Sequence, residues 1–149
     1  MIAESIKPWA SRWNRFRALP ANRKRLIAQT ALLVLISWVS LRLFSLQRIL
    51  RRLHTLAQQP PRRLPYTVAD IQHAVAAVGR MLPLATCLIN GLAAQYLFSR
   101  NGYSPKLHIG VKKEAKTLLA AHAWVTIDGQ VVVGMIEDLD SYTPLPGIS

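Results

Sequence analysis

The stretch "AHAWVTIDGQVVVG" (residues 121–134) contains two β-prone runs on either side of Asp128-Gly129. Valine, isoleucine, threonine and tryptophan favour the pleated strand, and a two-residue Asp-Gly connection favours a tight hairpin. The stretch therefore predicts two antiparallel strands, "AHAWVTI" and "QVVVGMI". The first strand carries one histidine, His122, and strand alternation places Trp124 on the same face, where its ring could shield His122 from water.

The residues before this hairpin predict two helices and a further strand. "TVADIQHAVAAVGRML" (67–82) begins with a capping-box pattern and has apolar residues at helical spacing, and Pro83 ends it. "CLINGLAAQYLFSR" (87–100) predicts a second helix closed by Asn101-Gly102, and "KLHIGVKK" (106–113) predicts a strand. Helices followed by an antiparallel sheet define an α+β fold class.

Cys87 is the only cysteine and falls in the first turn of the predicted helix, with Thr86 as its cap. The positive end of the helix dipole and the free amides of a first turn both favour a thiolate. A cysteine on a helix, a histidine on a following strand and an orienting group on the next strand form the layout of a cysteine nucleophile. The alternatives are a small buried thiol for Cys87 and a hydrogen-bonded core histidine for His122.

The first part of the chain is strongly basic. The net charge is +12, and almost all of the excess lies before residue 64, whereas basic and acidic residues nearly balance from Pro65 onward. We therefore predict two regions. Residues 1–64 form a basic helical region with a hydrophobic helix (about 22–57) and a proline-rich linker, "QQPPRRLP" (58–65), and residues 65–149 form the second domain.

The segment "LIAQTALLVLISWVSLRLFSL" (26–46) is about long enough to span a bilayer. It contains Arg42 and several polar residues, and basic clusters at both ends give no orientation by the positive-inside rule. Its late start and the lack of a small-residue cleavage site disfavour a signal peptide. We favour a packed or partner-docked helix over a span, and a contact of the arginines with a membrane surface stays open.

Composition disfavours several classes of protein and site. The basic residues alternate with leucines rather than with stacking aromatics, so we expect no nucleic-acid partner. A single cysteine rules out an internal disulfide framework and fits the cytoplasm. One cysteine with scattered histidines (His54, His73, His108) predicts no metal site, and no glycine-rich phosphate loop is present, so we expect no cofactor.

In order along the chain, the motifs resemble those of the transglutaminase-like leader peptidases of lasso peptide biosynthesis, the stand-alone protease component known as the lasso B protein. The matching elements are "LPANRKRLIAQTALLVL" (19–35), Cys87-Leu88, Arg100-Asn101-Gly102, "LHIGV" (107–111), "AHAWV" (121–125) and "YTPL" (142–145). The resemblance implies a papain-like fold, Cys87 as the nucleophile and His122 as the general base. From their positions at the start of the Cys87 helix and on the face of His122, we also place Thr86, Leu88 and Trp124 in the substrate and oxyanion region.

The third residue of the expected triad departs from the pattern. The family usually has an aspartate about where Gly134 lies, and a three-residue loop with a bulge would place Gly134 directly opposite His122. Glu137 and Asp138 follow the strand and could fold back, whereas Asp128 belongs to the turn and is the least favoured. A backbone carbonyl or a water is the remaining way to orient the imidazole.

The resemblance implies a cysteine peptidase that removes the leader from a ribosomally synthesised lasso precursor in the cytoplasm. Its expected partners are the precursor, a small leader-recognition protein and an ATP-dependent lasso cyclase. Two alternatives remain: an acyltransferase that uses the same Cys-His pair, and a non-catalytic, membrane-associated scaffold in which Cys87 is inert.

Overall fold

The computed structural model of the protein describes residues 17–60, 66–114 and 119–146. Within these residues, helices precede strands and the sheet is antiparallel, so the expected α+β fold class is confirmed. The helices are α1 (Ala21–Leu43), α2 (Leu46–Ala57), α3 (Val68–Met81) and α4 (Cys87–Arg100). The strands are β1 (Pro105–Lys113), β2 (Leu119–Ile127), β3 (Gln130–Val133) and β4 (Thr143–Pro144), with a 3₁₀ turn at Leu139–Ser141.

The hydrophobic region predicted as one helix is divided into α1 and α2. Phe44 and Ser45 have extended backbone angles, which interrupt the helical ladder, and the Phe44 N–H closes α1 on Ser40 O at 2.8 Å. The break lets the apolar residues of α2 pack against the core, while its arginines stay exposed. Residues 61–65 of the predicted linker, with the predicted boundary at 64/65, lie outside the described residues.

One face of α1 belongs to the same core as the helices that follow. Leu26, Thr30 and Val34, spaced by four residues, are buried against α3 and α4. The hydroxyl of Thr30 donates to Leu26 O at 2.8 Å, so its burial leaves no polar group without a partner. The N-terminal helix is therefore a structural part of the fold.

Helices α3 and α4 begin as the sequence predicts. The Thr67 hydroxyl accepts the Asp70 N–H, and the Asp70 carboxylate accepts the Thr67 N–H at 3.0 Å, which completes a capping box. These hydrogen bonds from Thr67 hold the pKa of the Asp70 carboxyl below its usual value. Helix α4 is the most buried helix, and a Cβ at Gly91 would lie 2.8 Å from the Leu107 side chain, so a glycine there lets α4 approach the sheet closely.

The sheet has the order β3-β2-β1-β4. The predicted hairpin between β2 and β3 has two central residues with positive φ, Asp128 (50°) and Gly129 (79°), as a type I′ connection requires. A register shift between Val125 and Thr126 marks a bulge in this pairing, and β3 ends opposite Val125. On the other side of β2, the ladder to β1 is regular and pairs Gly110 with His122.

The two faces of the sheet have different surroundings. The inner face, with Leu107, Ala123 and Val125, packs against α4 and is almost fully buried. Because side chains alternate along a strand, His122 and Trp124 belong to the outer face. A Cβ at Gly110 would lie 2.8 Å from the Trp124 ring, which shows that this ring covers the backbone of β1 on the outer face.

Candidate active site

Cys87 is the first residue of α4 and is half-buried as a free thiol. Thr86 occupies the N-cap position with an extended backbone, and its side chain makes no capping hydrogen bond. The first amides of a helix have no intrahelical partner, so those of Cys87 and Leu88 point toward the helix start with partial positive charge. The partial positive charge at this end of α4 would stabilise a negatively charged carbonyl oxygen.

The Cys87 side chain opens onto a cavity of about 600 Å³ between α3, α4 and β3. One wall is fixed by Gln72, whose Nε2 donates to Val132 O at 2.8 Å and so ties α3 to β3. Asn90, one turn after Cys87, donates from Nδ2 to Ala85 O at 3.0 Å. The lining residues are Gln72, His73, Val75, Ala76, Gly79, Arg80, Cys87, Asn90, Val132, Val133 and Gly134.

The imidazole of His122 is held by a backbone carbonyl. Its Nε2 lies 2.7 Å from Gly134 O. A carbonyl oxygen only accepts hydrogen bonds, so Nε2 carries the proton and donates it, which leaves the lone pair of neutral His122 on Nδ1. The hydrogen bond therefore selects the tautomer that a general base needs.

Gly134 cannot carry a side chain without a change in its surroundings. Its φ is +85°, and a Cβ there would lie 2.6 Å from Ala123 O and 2.9 Å from Trp124 Cα. An aspartate is thus excluded by this backbone at the position where the family resemblance places one. The main-chain oxygen of the same residue occupies the orienting role, one of the possibilities left open by the sequence.

Gly134 is also the residue shared by the surroundings of Cys87 and His122. It lines the cavity with Cys87, and its carbonyl oxygen binds His122. The two side chains approach Gly134 from different faces of the sheet, and within the described residues no hydrogen bond joins Cys87 Sγ to the His122 ring. The β2–β3 ladder ends at the Val125–Val133 pair, and beyond it Gly134 O reaches back to His122 Nε2.

Trp124 is almost fully buried on the outer face between two imidazoles. Its ring stacks on His108 at 5.5 Å and on His122 at 6.3 Å between ring centres, which confirms the shared face predicted for Trp124 and His122. His108 Nε2 lies 2.9 Å from Thr126 Oγ1. Burial, and to a smaller extent the charge of Lys106, lowers the pKa of His108.

Tyr142 and Lys112 lie near His122, and neither of them was assigned a role in the site from the sequence. The Tyr142 ring lies 5.7 Å from the His122 ring, and the Lys112 ammonium lies 5.2 Å from the centre of the Tyr142 ring. Tyr142 reaches this place because β4 pairs with β1, with Thr143 opposite Val111. The only signal for it in the sequence was the "YTPL" motif, since a two-residue strand has no periodicity.

The three candidate acids do not hydrogen-bond His122 within the described part of the chain. Asp138 forms an ion pair with Lys112, and that hydrogen bond lowers the pKa of Asp138 and raises the pKa of Lys112. The charge of His122 lowers the pKa of Asp138 further by a smaller amount, so the two groups lie within electrostatic range. Asp128 lies in the hairpin turn at the opposite end of β2, and Glu137 is exposed.

Residues 17–60, 66–114 and 119–146 contain no group of three or more His, Cys, Asp or Glu side chains placed to hold a metal ion. The sequence model described as the transglutaminase-like superfamily matches residues 31–147, which span about the C-terminal half of α1, the helices that follow and the whole sheet. No curated protein and no solved structure matches the chain.

Proposed function

The chain belongs to the transglutaminase-like superfamily, which includes cysteine peptidases and acyltransferases, and on this basis we propose that it is a cysteine peptidase. Cys87 is its nucleophile and His122 its general base. The observation that carries the assignment is the hydrogen bond from His122 Nε2 to Gly134 O, because it leaves Nδ1 free to take a proton.

The substrate of this proposal is the precursor of a lasso peptide. The support is the ordered set of sequence elements, from Cys87-Leu88 through "AHAWV" to "YTPL", that resembles the lasso leader peptidases. A small leader-recognition protein presents the precursor, and an ATP-dependent cyclase consumes the freed core peptide. The reaction takes place in the cytoplasm, where the thiol of Cys87 stays reduced.

The reaction begins with transfer of the Cys87 proton to His122 Nδ1. The sulfur then attacks the scissile carbonyl carbon, a C–S bond forms, and the carbonyl oxygen becomes an anion that the amides of Cys87 and Leu88 stabilise. Collapse breaks the C–N bond, and the imidazolium gives its proton to the departing amine of the core peptide. Water, deprotonated by His122, then hydrolyses the thioester and releases the leader.

This chemistry requires Sγ and Nδ1 to come within hydrogen-bond distance, about 3–3.5 Å. Cys87 and His122 must therefore approach each other when the peptide binds in the Cys87 cavity. Gly134 is the pivot of that step, because it lines the cavity and holds the imidazole. Trp124 limits the access of water to the His122 ring.

The test is incubation of the full-length protein with a lasso precursor and its leader-recognition protein, followed by mass spectrometry. Cleavage at one leader–core junction is expected, and Cys87→Ala and His122→Ala are each expected to lower its rate about 10³-fold or more. His54→Ala is the matched control, because His54 lies on α2, away from the sheet. Equal cleavage by the wild type and both variants would contradict the assignment.

Two further readouts separate the rival activities. Addition of an amine acceptor distinguishes the acyltransferase, which attaches the amine to the leader, from the peptidase, which releases a free carboxylate. Alkylation of Cys87 by iodoacetamide near neutral pH distinguishes an enzyme, whose thiol reacts rapidly, from the non-catalytic scaffold, whose thiol stays inert.

A further inference from the structure

The face of α1 that points away from the core is an apolar stripe. Its exposed residues recur at spacings of three and four, opposite the buried positions Leu26, Thr30 and Val34. They are Leu32 (56% exposed), Leu35 (46%), Ile36 (50%), Val39 (39%) and Leu43 (69%), and Phe44 (39%) continues the stripe past the end of the helix. Contiguous apolar surface of this kind marks a contact with another molecule.

Arginines surround the C-terminal end of this stripe. The Arg42 guanidinium lies 5.1 Å from the centre of the Trp38 ring, and those of Arg48 and Arg52 lie 5.8 and 5.7 Å from the Phe44 ring. Residues 21–57 contain no aspartate or glutamate, so no carboxylate of these helices neutralises them. The surface thus combines exposed aliphatic side chains with arginines that no acidic residue of positions 21–57 balances.

Helix α1 cannot cross a bilayer and keep this fold. By length and composition, Ala21–Leu43 would suffice for a span. However, the side chains of Leu26, Thr30 and Val34 are at most 1% exposed in the protein core. A transmembrane position would remove them from their contacts with α3 and α4. Only the outer half of α1 is available to a membrane, which is the geometry of a helix that lies in the interface plane.

We propose that the exposed stripe of α1, together with Arg42, Arg48 and Arg52, is a docking surface for an anionic lipid bilayer. The aliphatic side chains enter the boundary between headgroups and acyl chains, and the arginines bind the phosphates of the headgroups. Charge complementarity favours lipid over a second copy of the chain, because two such surfaces would bring arginines against arginines.

Flotation of the full-length protein with vesicles tests the proposal. The probes are vesicles of phosphatidylcholine with phosphatidylglycerol and vesicles of phosphatidylcholine alone. We expect flotation with the anionic vesicles, weakened by salt, and at least tenfold weaker flotation without the anionic lipid. Arg48→Gln/Arg52→Gln should lower the partition coefficient roughly fivefold for each arginine, and Leu32→Gln/Leu35→Gln about tenfold for each leucine.

The control variant is Met81→Gln/Leu119→Gln, which removes apolar side chains of similar exposure (59% and 70%) from other surfaces and should float like the wild type. All these positions are exposed, so the folded state is retained, which a circular dichroism melt verifies. Flotation that resists high salt and alkaline carbonate would show a span and overturn the proposal. The absence of flotation would also overturn the proposal. Light scattering that reveals a dimer, or a partner protein bound to the stripe, would then identify the true occupant of this surface.

Discussion

The two faces of the sheet are built from alternate residues of the same strands, yet they differ in what they contact. On the inner face, Leu107 and Val125 are packed by α4 and have almost no exposed surface. On the outer face, His108, Trp124 and His122 form a ring stack that a carbonyl and a tyrosine complete at one end. The comparison teaches that alternation along the same strands gives two environments: inner side chains pack against α4, and outer side chains form the ring stack that includes His122.

The sharpest test of this separation compares Leu107→Ala with His122→Gln. Loss of the buried leucine should cost about 2–5 kcal/mol of unfolding free energy, because the rigid helix–sheet contact cannot fill the cavity. A glutamine at 122 keeps a donor for Gly134 O but has no basic nitrogen, so it should lower stability by about 1 kcal/mol or less and the cleavage rate by about 10³-fold.

Urea denaturation measures the unfolding free energy of both variants, and the precursor assay measures their cleavage rates. A His122→Gln protein that unfolds as easily as Leu107→Ala would mean that the outer histidine supports the fold and that the two faces are not separated in this way.

The next largest effect is expected at Gly134, where an aspartate would match the pattern of the lasso leader peptidases that the sequence resembles. Gly134→Asp should destabilise the protein by roughly 2–4 kcal/mol, since it combines a positive φ with a clash against Ala123 O and Trp124. Gly129→Asp is the matched control: its φ is +79°, but a Cβ there has no heavy atom within 4 Å, so only about 1 kcal/mol is expected.

Thermal and urea unfolding of Gly134→Asp and Gly129→Asp measure the difference in their unfolding free energies. If Gly134→Asp were as stable as the wild type and cleaved the precursor faster, an aspartate triad would fit this backbone, and the orienting role of the carbonyl would be refuted.

The elements that follow from neighbouring residues could be predicted from the sequence. The Thr67–Asp70 capping box, the Asp128-Gly129 hairpin and the common face of His122 and Trp124 each depend on residues a few positions apart. Local spacing decides such features, because the hydrogen bonds and side-chain alternation that make them act within one turn or one hairpin.

The remaining features depend on contacts between distant parts of the chain. No proline or glycine in the sequence predicts the break at Phe44–Ser45. The break changes the direction of the chain so that the apolar residues of α2 pack against the core. The partner of His122 is a backbone oxygen, which no side-chain pattern encodes. The pairing of Lys112 with Asp138 results from the path of the chain from β3, at one edge of the sheet, to β4 at the other.

A smaller effect is expected at Asp138. Its carboxylate is engaged by Lys112 rather than by His122, so Asp138→Asn should change the cleavage rate by no more than about threefold, the effect of one nearby exposed charge. Asp140→Asn, two residues further along the chain, is the control. A loss of 10²-fold or more in Asp138→Asn alone would make Asp138 the third catalytic residue and would reduce Gly134 O to a structural contact.

The smallest predicted effect is a pH dependence of stability at His108, at the other end of the Trp124 stack. Burial lowers the pKa of His108 in the folded protein, whereas an unfolded histidine titrates near 6.5. The unfolded state therefore binds the proton first as the pH falls below about 6.5, and stability is lost from there down through the folded pKa. Urea unfolding between pH 7.5 and 5 should show a shallower decline for His108→Gln than for the wild type. Identical slopes for the wild type and His108→Gln would mean that the protonated His108 ring is accommodated on Trp124 without cost, which would contradict the prediction.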